Sequence, residues 1–178
     1  MAVGHVTALK AMTLCHALSS AELETVAAIV ETREVAAGSE LFREGEPGDG
    51  LFLVIDGEIN ITKSGPAGEH SLARLGAGGV LGEMSLVTAE ARSATGRALV
   101  DTRTLFLPAA RFRALLTADS IAAHKIVAAI AEVLARRLAT MNGIVLQFAE
   151  KPAAGAERSP LKTQDLAALH RTMQVWSF

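Results

Sequence analysis

The 178-residue sequence has one cysteine, little net charge and no long apolar run, and each scarcity closes off a class of protein. Cys15 cannot form an internal disulfide, and among mostly apolar neighbours it reads as a small core residue rather than a nucleophile, which fits a reducing cytoplasm. No run of about 18 apolar residues signals a membrane-spanning helix, and no N-terminal stretch combines a basic region, an apolar run and a small-residue cleavage site. The expectation is a soluble, cytoplasmic protein with no membrane partner. The formal charge of −2 exerts no general pull on nucleic acid, so any anionic ligand must be held by a local site.

Catalytic patterns are absent too. His5, His16, His70, His124 and His170 include no pair at i,i+4 and no His-x-His on a strand, so a metal-dependent cupin-like enzyme on a small barrel has no ligand set. Gly-x-Ser-x-Gly does not occur, and Ser64 and Ser71 have no base and orienting acid at readable positions. A non-enzyme without metal or cofactor is expected.

What is present is a 50% apolar chain, enough for one substantial core. Ser19 followed by Glu22 is a capping-box pattern, and Leu23, Val26, Ala27 and Val30 then recur at helical spacing. This predicts a helix over 20–32, with a second helical segment over 6–18. From residue 33 to 108 the period shortens. Apolar runs at 51–55 and 59–61 alternate with Gly45, Pro47, Gly48, Asp49, Gly50, Asp56 and Gly57, the chemistry of seven or eight antiparallel strands in a sandwich or barrel. Pro108 opens a helix bearing Phe112, Leu115 and Leu116. A longer helix then carries Val127, Ile130, Leu134, Leu138, Met141, Val145 and Phe148 on one face, with Lys125, Glu132, Arg136 and Asn142 opposite, ending near Glu150.

That stripe is longer than a small barrel can cover, so a homodimer through helix 121–149 is expected, although the step of four from Leu134 to Leu138 breaks a strict heptad. The domain is placed at 1–150, with helices at 6–32, strands at 33–108 and helices at 109–150. Residues 151–178 read as a linker and a short tail in which Leu166, Leu169 and Met173 keep a helical period and Trp176 could dock or cover a ligand.

The stretch "GEMSLVTAEARSA", 82 to 94, sets Glu83 nine residues ahead of Arg92 among small residues. An arginine fork suits phosphate oxygens and a glutamate suits sugar hydroxyls, so the two together suit a phosphorylated sugar. Gly82, Ser85, Ser93 and Ala94 would let backbone N–H groups approach an anion, especially at the start of a short helix near Glu83. The alternative on spacing alone is an ion pair between Glu83 and Arg92.

"GSELFREGEPGDGLFLVIDGEI" (38–59) and "GGVLGEMSLVTAEARSATGRAL" (78–99) resemble the cyclic nucleotide-binding domain in its catabolite-activator-like form, and the likeness runs from residue 14 to about 148. The resemblance implies an eight-stranded, jelly-roll-like β-roll with flanking helices, mainly β, followed by a long helix. It implies a phosphate-binding cassette at 82–94 in which Glu83 binds the ribose 2′-hydroxyl and Arg92 the cyclic phosphate. Gly82, Met84, Ser85 and Ser93 would surround the ligand, with cAMP favoured over cGMP because serine stands at 93. Ala91, where many members have proline, and Leu81, often phenylalanine, depart from the pattern without removing a contact.

Fewer than thirty residues follow Glu150, too few for a helix-turn-helix domain, so DNA is not an expected partner. The expected function is a regulatory sensor that passes a helix rearrangement to a protein effector. The alternatives are a non-binding dimeric scaffold of the same fold or a cupin-like barrel enzyme.

Overall fold

The computed structural model describes residues 2–66 and 68–150. Helix α1 (Ala2–Lys10) leads through a tight 3₁₀ turn, Thr13–Cys15, into α2 (Ser20–Ala27). Eight strands follow: β1 (Glu31–Val35), β2 (Glu40–Phe42), β3 (Gly50–Asp56), β4 (Ile59–Gly65), β5 (Gly68–Leu75), β6 (Val80–Leu81), β7 (Thr95–Ala98) and β8 (Thr102–Pro108). Between β6 and β7 sits α3 (Glu83–Thr88), and α4 (Ala109–Thr117) and α5 (Ile121–Glu150) come after the strands. The strands form two antiparallel four-stranded sheets, ordered β1-β8-β3-β6 and β2-β7-β4-β5. This is the expected β-roll with a long C-terminal helix.

Several boundaries differ from the sequence expectation. The helix expected to reach residue 32 stops at Ala27, because Glu31–Val35 pairs in register with β8, Glu31 opposite Phe106 and Val35 opposite Thr102. The strand ladder takes the backbone groups that about one and a half more turns of helix would have used. The roll therefore begins at Glu31, not at residue 33. In the segment 6–18 the helix gives way at Met12, whose extended backbone (φ −86°, ψ 130°) lets Leu14 and Cys15 turn into the core. The helix after the strands also starts one residue later than expected, because Pro108 ends β8 and is the N-cap, not the first position, of α4. The capping box of α2 operates as read. The Ser19 hydroxyl accepts from the Glu22 N–H while the Glu22 carboxylate accepts from the Ser19 N–H, so two orphan donors at the start of α2 are satisfied.

The core is double. Leu51 and Leu53 of β3 and Leu105 and Leu107 of β8 pack against the helices, with Phe112 of α4 and Ile126 and Ile130 of α5. Phe52 and Val54 of β3 and Phe106 of β8 point the other way, into the roll, and meet Phe42, Ile59, Leu81 and Ala98. Residues 50–54 are therefore all buried, an unbroken apolar run in an antiparallel strand whose two faces serve two cores.

The chain divides into a compact unit ending at Arg136 and a second beginning at Arg137. Within the first, the apolar stripe of α5 is covered by the chain itself through Val127, Ile130 and Leu134. Leu138 and Met141, farther along, are exposed. The side chains of Val145 and Phe148, and the tail with Leu166, Leu169, Met173 and Trp176, lie outside the described residues.

Cys15 is 2% exposed, and burial pushes its thiol up to about 11 from an ordinary value of 9.0. The folded chain thus keeps a proton that the unfolded chain gives up, and stability should fall as pH rises from about 9 to about 11. Urea melts across that range should show the slope in the parent chain and not in Cys15→Ala. A thiol reagent at neutral pH should label Cys15 only after unfolding.

Candidate functional site

The turn from β6 into α3 is made by Gly82, whose φ of +73° is left-handed. Glycine is needed there twice over, for the backbone angle and because a methyl group would overlap the Arg92 guanidinium. Glu83, Met84 and Ser85 form the first turn of α3, whose N–H groups have no partner inside the helix. Glu83 and Ser85 are buried, and Leu86 anchors the helix in the core shared with α4 and α5.

Arg92 follows in a segment that is neither helix nor strand, and its side chain is only 1% exposed. Its backbone is stitched to the glycine-rich loop before β3: the Arg92 N–H donates to the Glu46 carbonyl (2.8 Å) and the Gly45 N–H to the Arg92 carbonyl (2.9 Å). Nη2 donates to Asp49 Oδ1 at 2.6 Å and Nη1 to the Gly82 carbonyl at 3.4 Å. The guanidinium carbon lies 4.5 Å from the centroid of the Phe42 ring and 5.7 Å from that of Phe52, a stacked cation. Nε is buried with no hydrogen-bond partner, the one such side-chain nitrogen or oxygen among the described residues.

Ser93 is exposed, with its hydroxyl 3.7 Å from the Met84 sulfur. The structure thus gathers the six residues singled out in the sequence on one loop-helix-loop. Gly82 through Ser85 make the turn, Arg92 reaches back to Gly82, and Ser93 lies beside Met84. The ion pair that Arg92 makes is with Asp49, 43 residues away in sequence. Asp49, Phe42 and Phe52 were not read as parts of the site. Asp49 stood in "EPGDG" as turn chemistry and the phenylalanines within the strand region, and although all three fall in the first stretch of the resemblance, 38–59, none was given a role there.

Chemically, a buried arginine with one donor unused, beside a carboxylate and a helix's first turn, can take up an anion carrying hydroxyl groups. A cavity of about 510 Å³ lined by Glu34, Asp56, Asp101 and Arg103 among others includes none of these residues. Among the described residues no group of three or more His, Cys, Asp or Glu could hold a metal ion, and no single helix is long and apolar enough to cross a membrane.

The fold and these motifs have relatives. Residues 32–119 match the family model of the cyclic nucleotide-binding domain. The chain is similar to the cyclic AMP receptor protein of Thermus thermophilus, 34% identical over 131 residues that cover 73% of this chain and 59% of that one. The crystal structure of the Thermus thermophilus catabolite activator protein overlays with a TM-score of 0.66 at 31% identity, covering 77% of this chain and 63% of that chain. A cyclic nucleotide-binding domain from Methylobacillus flagellatus overlays with a TM-score of 0.73 at 24% identity, covering 85% and 86% of the two chains, a likeness of fold. The chain spans 26%, 59% and 29% of the length of three curated relatives it matches. The roll, the Gly82 turn into α3 and the family match agree, and the chain belongs to the cyclic nucleotide-binding domain family.

Proposed function

We propose that the chain binds a cyclic nucleotide in the cassette 82–94, cAMP in preference to cGMP, and acts as a regulatory module rather than an enzyme. The observation that carries the reading is the buried Arg92 whose Nε lacks an acceptor. A desolvated donor of a charged group is costly to leave unused, and a cyclic phosphate oxygen is the acceptor that fits a guanidinium edge. Glu83 then takes the ribose 2′-hydroxyl, Gly82, Met84 and Ser85 offer backbone N–H groups, and Ser93 faces the phosphate or the purine edge. The name of the cyclic AMP receptor protein among the relatives supports the choice of adenine.

Ligand binding acts on α4 and α5 because Leu86 of the cassette helix shares a core with Phe112 and Ile126. A nucleotide shifts those helices only by binding one arrangement better than the other. The exposed Leu138 and Met141 are the residues we assign to a homodimer contact. The reducing cytoplasm remains the compartment that a single buried thiol suits.

A thermal-shift titration with cAMP and cGMP tests the reading. At about 100 times Kd a ligand adds roughly 2.7 kcal/mol, several degrees for a domain of this size. A saturable shift reached at lower concentration with cAMP is the expected result. One observation favours a scaffold of the same fold instead: Asp49 and two phenylalanine rings already surround Arg92, as they would a purely structural arginine. That reading requires no shift with either nucleotide in protein free of co-purified ligand.

A further inference from the structure

Residues 89–94 lie in neither helix nor strand, so the position of Arg92 and Ser93 must be set by contacts from other elements. Two are the backbone bonds to Gly45 and Glu46. The third is a side chain from β4, the strand paired with β7, which begins at Thr95 just after this segment. Lys63 of β4 donates from Nζ to the Ser93 carbonyl at 2.7 Å and to Glu44 Oε1 at 2.7 Å. Glu44 is itself fixed at both ends, its Oε2 accepting from the Ser64 N–H at 3.0 Å and its own N–H donating to Thr95 Oγ1 at 3.0 Å. The Lys63 ammonium, and after it the Ser64 N–H, holds the Glu44 carboxyl below the usual carboxylate range, so the clamp stays charged under ordinary conditions.

We infer that Lys63, oriented by Glu44, is a positioning residue that fixes the backbone at Ser93 and so sets how the site tells adenine from guanine. Ser93 is exposed, and its hydroxyl has only the weak Met84 sulfur contact. Its direction therefore depends on its backbone, and the Ser93 carbonyl is held by Lys63. The inference rests on the nucleotide reading above. A half-exposed lysine–glutamate pair contributes little to stability by itself, so its loss leaves the fold standing while freeing a segment that has no ladder of its own.

The test compares the parent chain with Lys63→Met, Lys63→Arg and Glu44→Gln. Each is titrated calorimetrically with cAMP and cGMP, and hydrogen exchange of residues 89–95 is followed in the ligand-free protein. In Lys63→Met, cAMP should bind about tenfold more weakly and the cAMP-to-cGMP preference should narrow at least about threefold, with the melting temperature changed by only ~2 °C. Glu44→Gln should show the same changes in smaller measure, and Lys63→Arg should recover most of both. Exchange at 89–95 should quicken in Lys63→Met. The inference is overturned if Lys63→Met keeps the parent's preference. It is equally overturned if both affinities fall together with the melting temperature and arginine restores nothing. Should the parent chain bind neither nucleotide, the nucleotide reading fails on its own account. The clamp is then judged by exchange alone, and unchanged exchange in Lys63→Met sinks it as well.

Discussion

Arg92→Ala should bind cAMP on the order of a hundredfold or more weakly than the parent chain while remaining folded. A charge-assisted hydrogen bond contributes about 1.5–3 kcal/mol, and a guanidinium edge can make two to a phosphate. The stability cost should be smaller, about 1–2 kcal/mol, from the lost stacking on Phe42 and Phe52 and the small void left between them. What limits that cost is the state of the partner. Asp49 is 59% exposed, so removing the arginine leaves its carboxylate in water rather than stranded in the core. Arg92→Lys should fall between, keeping the charge and losing the planar fork. Calorimetric titration paired with urea melts separates the two effects. An alanine variant that binds as tightly as the parent would falsify the placement of the phosphate.

Gly82→Ala should lose both stability, by roughly 2–5 kcal/mol, and nucleotide binding. The backbone angle costs about 1–2 kcal/mol for any L side chain. The methyl group must also displace the guanidinium and presses on the Gly50 carbonyl 3.0 Å away, and overpacking of this kind costs about 1–3 kcal/mol more. Gly38 is an internal control, with a φ of +80° and nothing within 4 Å of an added Cβ. Gly38→Ala therefore carries the angular cost alone. Equal destabilisation of the two variants in denaturant melts would show that contact with Arg92 contributes nothing at Gly82.

Local chemistry was the legible part of this molecule. Ser19 and Glu22 announce a capping box because both partners lie within one turn, and Pro108 announces a helix start to within one residue, standing as the N-cap of α4. The glycine-punctuated rhythm of 33–108 announces strands, whereas the cassette at 82–94 came only from the family resemblance. The end of α2 was not legible, because Val30 continues the helical period and only pairing with β8 decides that Glu31 begins a strand. Asp49 and Lys63 escaped for the same reason. Their partners are Arg92 and Ser93, 43 and 30 residues away, and nothing in either neighbourhood marks a long-range bond. The stripe on α5 was legible as apolar but not as divided, since its cover up to Leu134 comes from elements distant in sequence.

Strand β3 separates the roll interior from the helical layer, and that partition is one peptide thick. Phe52, beside the Arg92 guanidinium, and Leu51 and Leu53, beneath the helices, are covalent neighbours. A tilt of that short backbone tips both surfaces at once, in opposite directions, as a seesaw does. If the site is occupied as proposed, the news has no distance to travel before it reaches the seat of α4, and a substitution meant to silence one side should be heard on the other.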